Sequence, residues 1–336
     1  MSELDPPVIA PAYQDRRIGL VVGGVIIAIV GFFFVLAALL APIGQIAAGD
    51  GSGQPVAWNV VGSGVCTNLL IAIPAIWVGV GSLLHRRWVR PIVLTVSVLL
   101  AASGLFECAL LPRVVARTLQ RTAAANPLPP AAIAAAQWIS LVVMLVLLVV
   151  IPALYFWYYG KRDVKLTLEA RDPVSRWTDG KPVPLIGACV CLAWGAVYLL
   201  GFSLLLRTAF PLFGTVAPPA VSRLLWLAFA LFSLYAARGF YRRDRAVWTA
   251  YFVVFLAMGA SGLFTLHHLG LRELYARSGI PAGQADQILG VLSGLDHAVV
   301  AATAALVAGW LGFLLYLRRY FPPAAAEAGS GSAKAI

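Results

Sequence analysis

The sequence predicts an all-α polytopic membrane protein: eight transmembrane helices in two parallel four-helix repeats, with helical hairpins projecting outward. Composition is the first observation. Hydrophobic residues make up 61% of the chain and charged residues only 12%, which is the signature of a multi-pass membrane protein. The second is a set of apolar runs, each near the roughly 20 residues a helix needs to cross the hydrocarbon core. The third is internal repetition. Ala102-Ser103-Gly104-Leu105-Phe106 returns 158 positions later as Ala260-Ser261-Gly262-Leu263-Phe264, and the same shift carries Tyr158 onto Tyr316.

In chain order the expected spans are Ile18–Ala41, Gly62–Leu84, Pro91–Leu111, Ala132–Tyr159, Pro184–Leu206, Ala220–Phe240, Val247–His268 and Ile288–Leu317. None has the period-two alternation of a membrane barrel, so helix is the reading for all eight. Gly and Ala within the runs suit close helix approach in lipid. The run after Arg16-Arg17 is too long for a signal-peptide core and reads as a retained signal anchor. Domain limits follow: residues 1–17 form an N-terminal segment, 18–160 the first repeat, 161–183 a linker, 184–319 the second repeat and 320–336 a disordered tail. Pro42 to Val61 reads as a long first outer loop. Helix-favouring residues continue from Leu111 to about Ala125, and Ala282–Leu295 reads as a polar lead into the last helix. Two hairpins are therefore expected to project past the bilayer, with breaks near Asn126–Pro130 and Gly279–Gly283.

With the N-terminus inside, 18 of the 25 Lys and Arg fall on the cytoplasmic side. The positive-inside rule then puts both termini in the cytoplasm of an inner-membrane protein. The net charge of +11 calls for no nucleic acid, because juxtamembrane cations facing anionic headgroups account for it. An even number of helices per repeat makes the two halves run in the same sense.

The linker carries Arg171-Asp172-Pro173 and Arg176-Trp177-Thr178-Asp179-Gly180. It reads as a strap on the headgroups, with Trp177 as an interfacial anchor. Asp172 and Asp179 are expected to pair with Arg171, Arg176 or Lys181 in exposed contacts that add little stability. The chain holds no G-x-x-x-x-G-K-[ST] phosphate loop.

A charge at the bilayer midplane would be the sharpest functional pointer, and the spans offer none. At about 1.5 Å per helical residue, Glu107 lies roughly 25 Å beyond Arg90, His267 roughly 33 Å beyond Arg245, and His297 roughly 31 Å from Arg318. His268 and Asp296 share that outer layer. Imidazole and carboxylate there suit a metal in principle, but adjacent His267 and His268 diverge by about 100° on a helix. No H-x-x-x-H pair presents ligands from successive turns, so neither metal nor cofactor is expected. Arg113, Arg117 and Arg121 recur every four residues and stripe one face of the projecting third helix. Glu273 and Arg277 have the spacing of an i,i+4 pair. Cys189 and Cys191 read as buried thiols; Cys66 and Cys108 lie near the outer helix ends, where oxidation would be able to join them.

These features favour a non-catalytic binding or complex subunit that engages membrane lipid or a protein subunit at its non-cytoplasmic hairpins. The alternatives are a redox or metal-dependent enzyme using the outer His/Asp/Glu layer, and a carrier for a neutral molecule between the repeats.

Overall fold

A computed structural model describes residues 13–52, 58–125, 129–205, 209–277 and 296–322. It is nearly all helical, and eight of its helices are long and apolar enough to span a membrane. In order they are α1 (Arg17–Ser52), α2 (Trp58–Leu83), α3 (Val89–Ala125), α4 (Pro130–Leu145) continued through a π-helical turn at Val146–Val150 into α5 (Ile151–Gly160), α7 (Val183–Leu205), α8 (Pro219–Arg242), α9 (Arg245–Arg277) and α10 (Asp296–Leu317). Between the fourth and fifth spans lies a short amphipathic helix, α6 (Arg162–Arg171). Its buried residues Val164, Thr167 and Leu168 dock it on the end of the bundle.

Several boundaries depart from the sequence reading. The long first outer loop is largely helix: α1 runs through Pro42 to Ser52 and α2 begins at Trp58. The apolar run ends at Ala41, but helix needs no apolar side chains and continues beyond it. The α7–α8 connection is a β-hairpin, β1 (Pro211–Leu212) paired antiparallel with β2 (Thr215–Val216). The helix α3 extends to Ala125, and α4 begins at Pro130. Gly270 (φ 70°, ψ 170°) breaks α9 just past the expected end of its apolar run. The expected break at Gly279–Gly283 and the polar lead Ala282–Leu295 lie outside the described residues, as do residues 1–12 and the tail from 323.

Small residues set the closest helix contacts. A Cβ on Gly79 would stand 2.8 Å from the Gly24 carbonyl oxygen and from the Ala28 nitrogen, and one on Gly31 would stand 3.1 Å from the Ala72 carbonyl oxygen. Backbones that approach this closely gain dispersion contact along their length, the main source of helix affinity in lipid. Between the halves, α7 packs on α3 and α2. A Cβ on Gly187 would meet Thr95 Oγ1 at 2.6 Å, and one on Gly201 would meet Cys66 Sγ at 2.9 Å. Two buried clusters gather at one end of the bundle. One joins Leu20, Val89, Tyr159 and Leu168; the other joins Leu185, Phe240, Trp248 and Leu317.

That end carries the linker and the segments that flank the first and last spans; it is the basic face, and the opposite end is the distal face. Three tyrosines pin α1 there. Tyr158 donates to the Arg16 carbonyl (2.8 Å) and Tyr155 to that of Gly23 (2.9 Å), while Tyr159 lies 2.6 Å from Ser82 Oγ, which itself donates to the Leu20 carbonyl.

The turns closing the second helix of each half share their geometry. His85 (φ 54°) and Arg243 (φ 62°) are left-handed. His85 N donates to Ser82 O and Arg86 N to Gly81 O; Arg243 N donates to Phe240 O and Asp244 N to Gly239 O. This is the double hydrogen bond of a Schellman cap.

Candidate functional site

The best-built polar structure sits on the basic face, where the linker grips the α2–α3 and α8–α9 turns. Asp172 is only 2% exposed. Arg176 clamps its carboxylate with two bonds, Nε to Oδ2 at 2.9 Å and Nη2 to Oδ1 at 2.7 Å. Arg86 Nη1 and the Arg87 backbone N–H approach at 3.4 and 3.3 Å. Bidentate, charge-assisted bonds of this kind are the strong ones. The Arg176 bond, before the others, holds the Asp172 carboxyl below its ordinary range. Asp179 Oδ2 accepts from the Arg176 backbone N–H (2.9 Å) and from Arg87 Nη1 (3.4 Å), and Arg87 Nη2 donates to the Glu169 carbonyl at 2.8 Å.

The same segment reaches the second half. Tyr241 donates to the Trp177 carbonyl (2.9 Å), Arg243 approaches the Gly180 carbonyl (3.4 Å), and Lys181 lies over the Tyr241 ring. The linker therefore staples the α2–α3 turn to the α8–α9 turn. The exposed pairing expected for Asp172 is corrected here, since its carboxylate is buried by the strap itself. Arg171 turns away to Asp15, 3.2 Å distant. Trp177 and Asp179 stay partly exposed. His85 forms the left-handed cap and is half-buried.

In the second half, Asp244 accepts from the Ala246 and Val247 amides and so caps α9 with its own side chain. The matching residue 158 positions earlier is Arg86, which offers no acceptor. In the first half a carboxylate reaches that turn from the linker, as Asp172.

At the distal face the hairpin is held by hydroxyls. Phe213 N donates to Ser261 Oγ (3.0 Å), Ser261 Oγ donates to the Pro211 carbonyl (2.9 Å), and Gly214 N donates to Thr265 Oγ1 (2.9 Å). Ser222 closes the neck, accepting from Phe210 N and donating to the Ala217 carbonyl. Phe213 (φ 38°) and Gly214 (φ 92°) give the two positive central angles of the tightest hairpin turn. Phe213 is left 64% exposed at the tip. Sequence reasoning missed this element, although a Gly between two short β-branched and apolar stretches was available as a signal.

Of the outer-layer residues, Glu107, His267, His268 and His297 are exposed. His268 stacks on Phe264 at 6.0 Å and lies beside Gly214. Among the described residues no hydrogen bond or ion pair joins Glu107, His267 and His297, and no three His, Cys, Asp or Glu converge on a metal position. Arg113, Arg117 and Arg121 fall on α3 and Asp296 opens α10, but their side chains lie outside the described residues. The Glu273–Arg277 pair is formed, with Arg277 Nη2 2.9 Å from Oε1. All four cysteines are free thiols, so Cys66 and Cys108 are not joined. The chain matches no protein-family model, no curated protein and no solved structure.

Proposed function

We propose that this protein is a non-catalytic integral membrane subunit, built on a duplicated four-helix frame, that engages lipid or a protein partner at its non-cytoplasmic face. The cation bias assigns the basic face to the cytoplasm. Both termini and the linker then lie inside, and the distal hairpins outside. The duplication is supported by the paired turns. His85 and Arg243, Gly81 and Gly239, Val89 and Val247 are each 158 apart, and a Cβ on either glycine would strike the matching valine. Arg90 and Trp248, also 158 apart, each donate to a carbonyl near the end of their half's fourth span: Tyr159 O at 2.9 Å and Leu314 O at 3.0 Å.

The observation that carries the binding reading is the hairpin, pinned to α9 so that Phe213 stands exposed at its tip. An exposed aromatic on a rigid, fully hydrogen-bonded turn loses little conformational freedom when it is covered, which suits a recognition tip. Exposed His267, His297 and Glu107 fall in the same distal layer by their count along the helices and would supply the polar rim of such an interface. Native mass spectrometry after gentle extraction tests this: the wild type is expected to carry lipid or a companion subunit that Phe213→Ser and His267→Ala lose while still folding. A bare wild-type monomer, or variants carrying the same companions, would contradict the reading.

A further inference from the structure

A second site lies on the opposite, basic face. Between α3, α6, the linker and the start of α7 is a cleft of about 520 Å³. Its walls carry Arg87, Arg90, Lys165 and Lys181 against the acids Glu169 and Asp179. Both acids are already engaged, Glu169 beside Lys165 (3.8 Å) and Asp179 with Arg87 and Arg176. Two features remain unanswered within the fold. Thr178 lines the cleft, is only 6% exposed, and its hydroxyl has no hydrogen-bond partner. Arg87 Nε is likewise buried and unpartnered. Orphaned polar groups inside a protein cost free energy unless something else satisfies them. The cleft also abuts the first turn of α7 at Val183, whose N-terminal dipole favours an anion.

We infer that this cleft binds a phosphate-bearing anion, with Thr178 and Arg87 donating to its oxygens and Lys181 and Lys165 supplying charge at the mouth. Arg90 is the second residue of one membrane span and Val183 the first of another, so the cleft opens at headgroup depth. A phosphodiester headgroup and a free phosphate share this chemistry. The volume accommodates a phosphate with its glycerol or a comparable small polyol.

The test uses the full-length protein and Thr178→Val, which removes the hydroxyl while keeping shape and charge. One arm follows retention of phosphatidylglycerol against phosphatidylcholine by native mass spectrometry. The other titrates inorganic phosphate and glycerol 3-phosphate into protein held in zwitterionic nanodiscs. Wild type is expected to bind in at least one arm, and Thr178→Val to bind roughly tenfold more weakly there with its thermal midpoint unchanged or raised. Lys181→Gln is expected to weaken the same arm. Loss in the lipid arm alone identifies a headgroup as the source, and loss in the titration identifies a soluble phosphate. The inference is overturned if wild type shows no anion preference in either arm, or if Thr178→Val and the Thr178→Val/Lys181→Gln double variant bind as wild type does.

Discussion

Asp172 decides how the linker behaves. Its carboxylate is buried, doubly bonded by Arg176 and 3.3 Å from the Arg87 backbone N–H, so it ties the linker to the α2–α3 turn. Asp172→Asn keeps the shape but gives up the charge-assisted bonds, and should cost about 1–3 kcal/mol of stability. The pH dependence has a definite sign. A carboxyl whose folded value lies below its ordinary 3.8 contributes fully above that ordinary value and loses its contribution as pH falls toward the lowered one. Thermal unfolding of wild type and Asp172→Asn should therefore differ by a constant amount from neutral pH to about pH 5, with the gap closing below about pH 4. A gap that persists unchanged into acid would assign the effect to packing. In the sequence, Arg171-Asp172-Pro173 and Arg176 stood out as a linker motif, but burial did not. Whether an acid in a connector is exposed depends on which turns fold over it, and local spacing holds no trace of that.

At the scale of elements, close packing of α1 on α2 rests on Gly24, Gly31 and Gly79. Gly79→Leu forces the side chain into the backbone of α1, and should lower stability by about 1–3 kcal/mol or more. Gly44→Leu, on the same α1 where a Cβ would meet nothing within 4 Å, should be near neutral; equal thermal shifts for the two variants would contradict this contact. Helix existence was readable because 18 or more apolar residues in a row leave few alternatives. Helix ends were less so. Beyond Ala41 the α1 sequence turns polar and Gly-rich, yet the helix continues to Ser52, since hydropathy marks the bilayer and not the hydrogen-bond ladder. The hairpin escaped for a related reason. Its strands are two residues each, and the stability comes from Ser222, Ser261 and Thr265 on neighbouring helices. The repeated Ala-Ser-Gly-Leu-Phe shows the same dependence on context: Ser261 holds the hairpin, whereas Ser103 returns its hydroxyl to the Leu100 carbonyl of its own helix.

For the molecule as a whole, the proposed frame is two units of like sense joined by a linker that locks the α2–α3 turn to the α8–α9 turn. The distal layer of Glu107, His267 and His297 was found by counting along helices, which gives depth but not azimuth, so it located a face without locating a pocket. The basic-face cleft stayed invisible to that method because α3, α6 and α7 come together there only after folding. Vectorial labelling tests the frame most directly. Single cysteines at Tyr13, Ser175 and Phe213 in a cysteine-free background would be exposed to a membrane-impermeant maleimide on intact cells and then after lysis. The account expects Phe213→Cys to label on intact cells, and Tyr13→Cys and Ser175→Cys only once the cytoplasm is opened. Labelling of Phe213→Cys and Ser175→Cys from one side, or of Tyr13→Cys and Ser175→Cys from opposite sides, would contradict it.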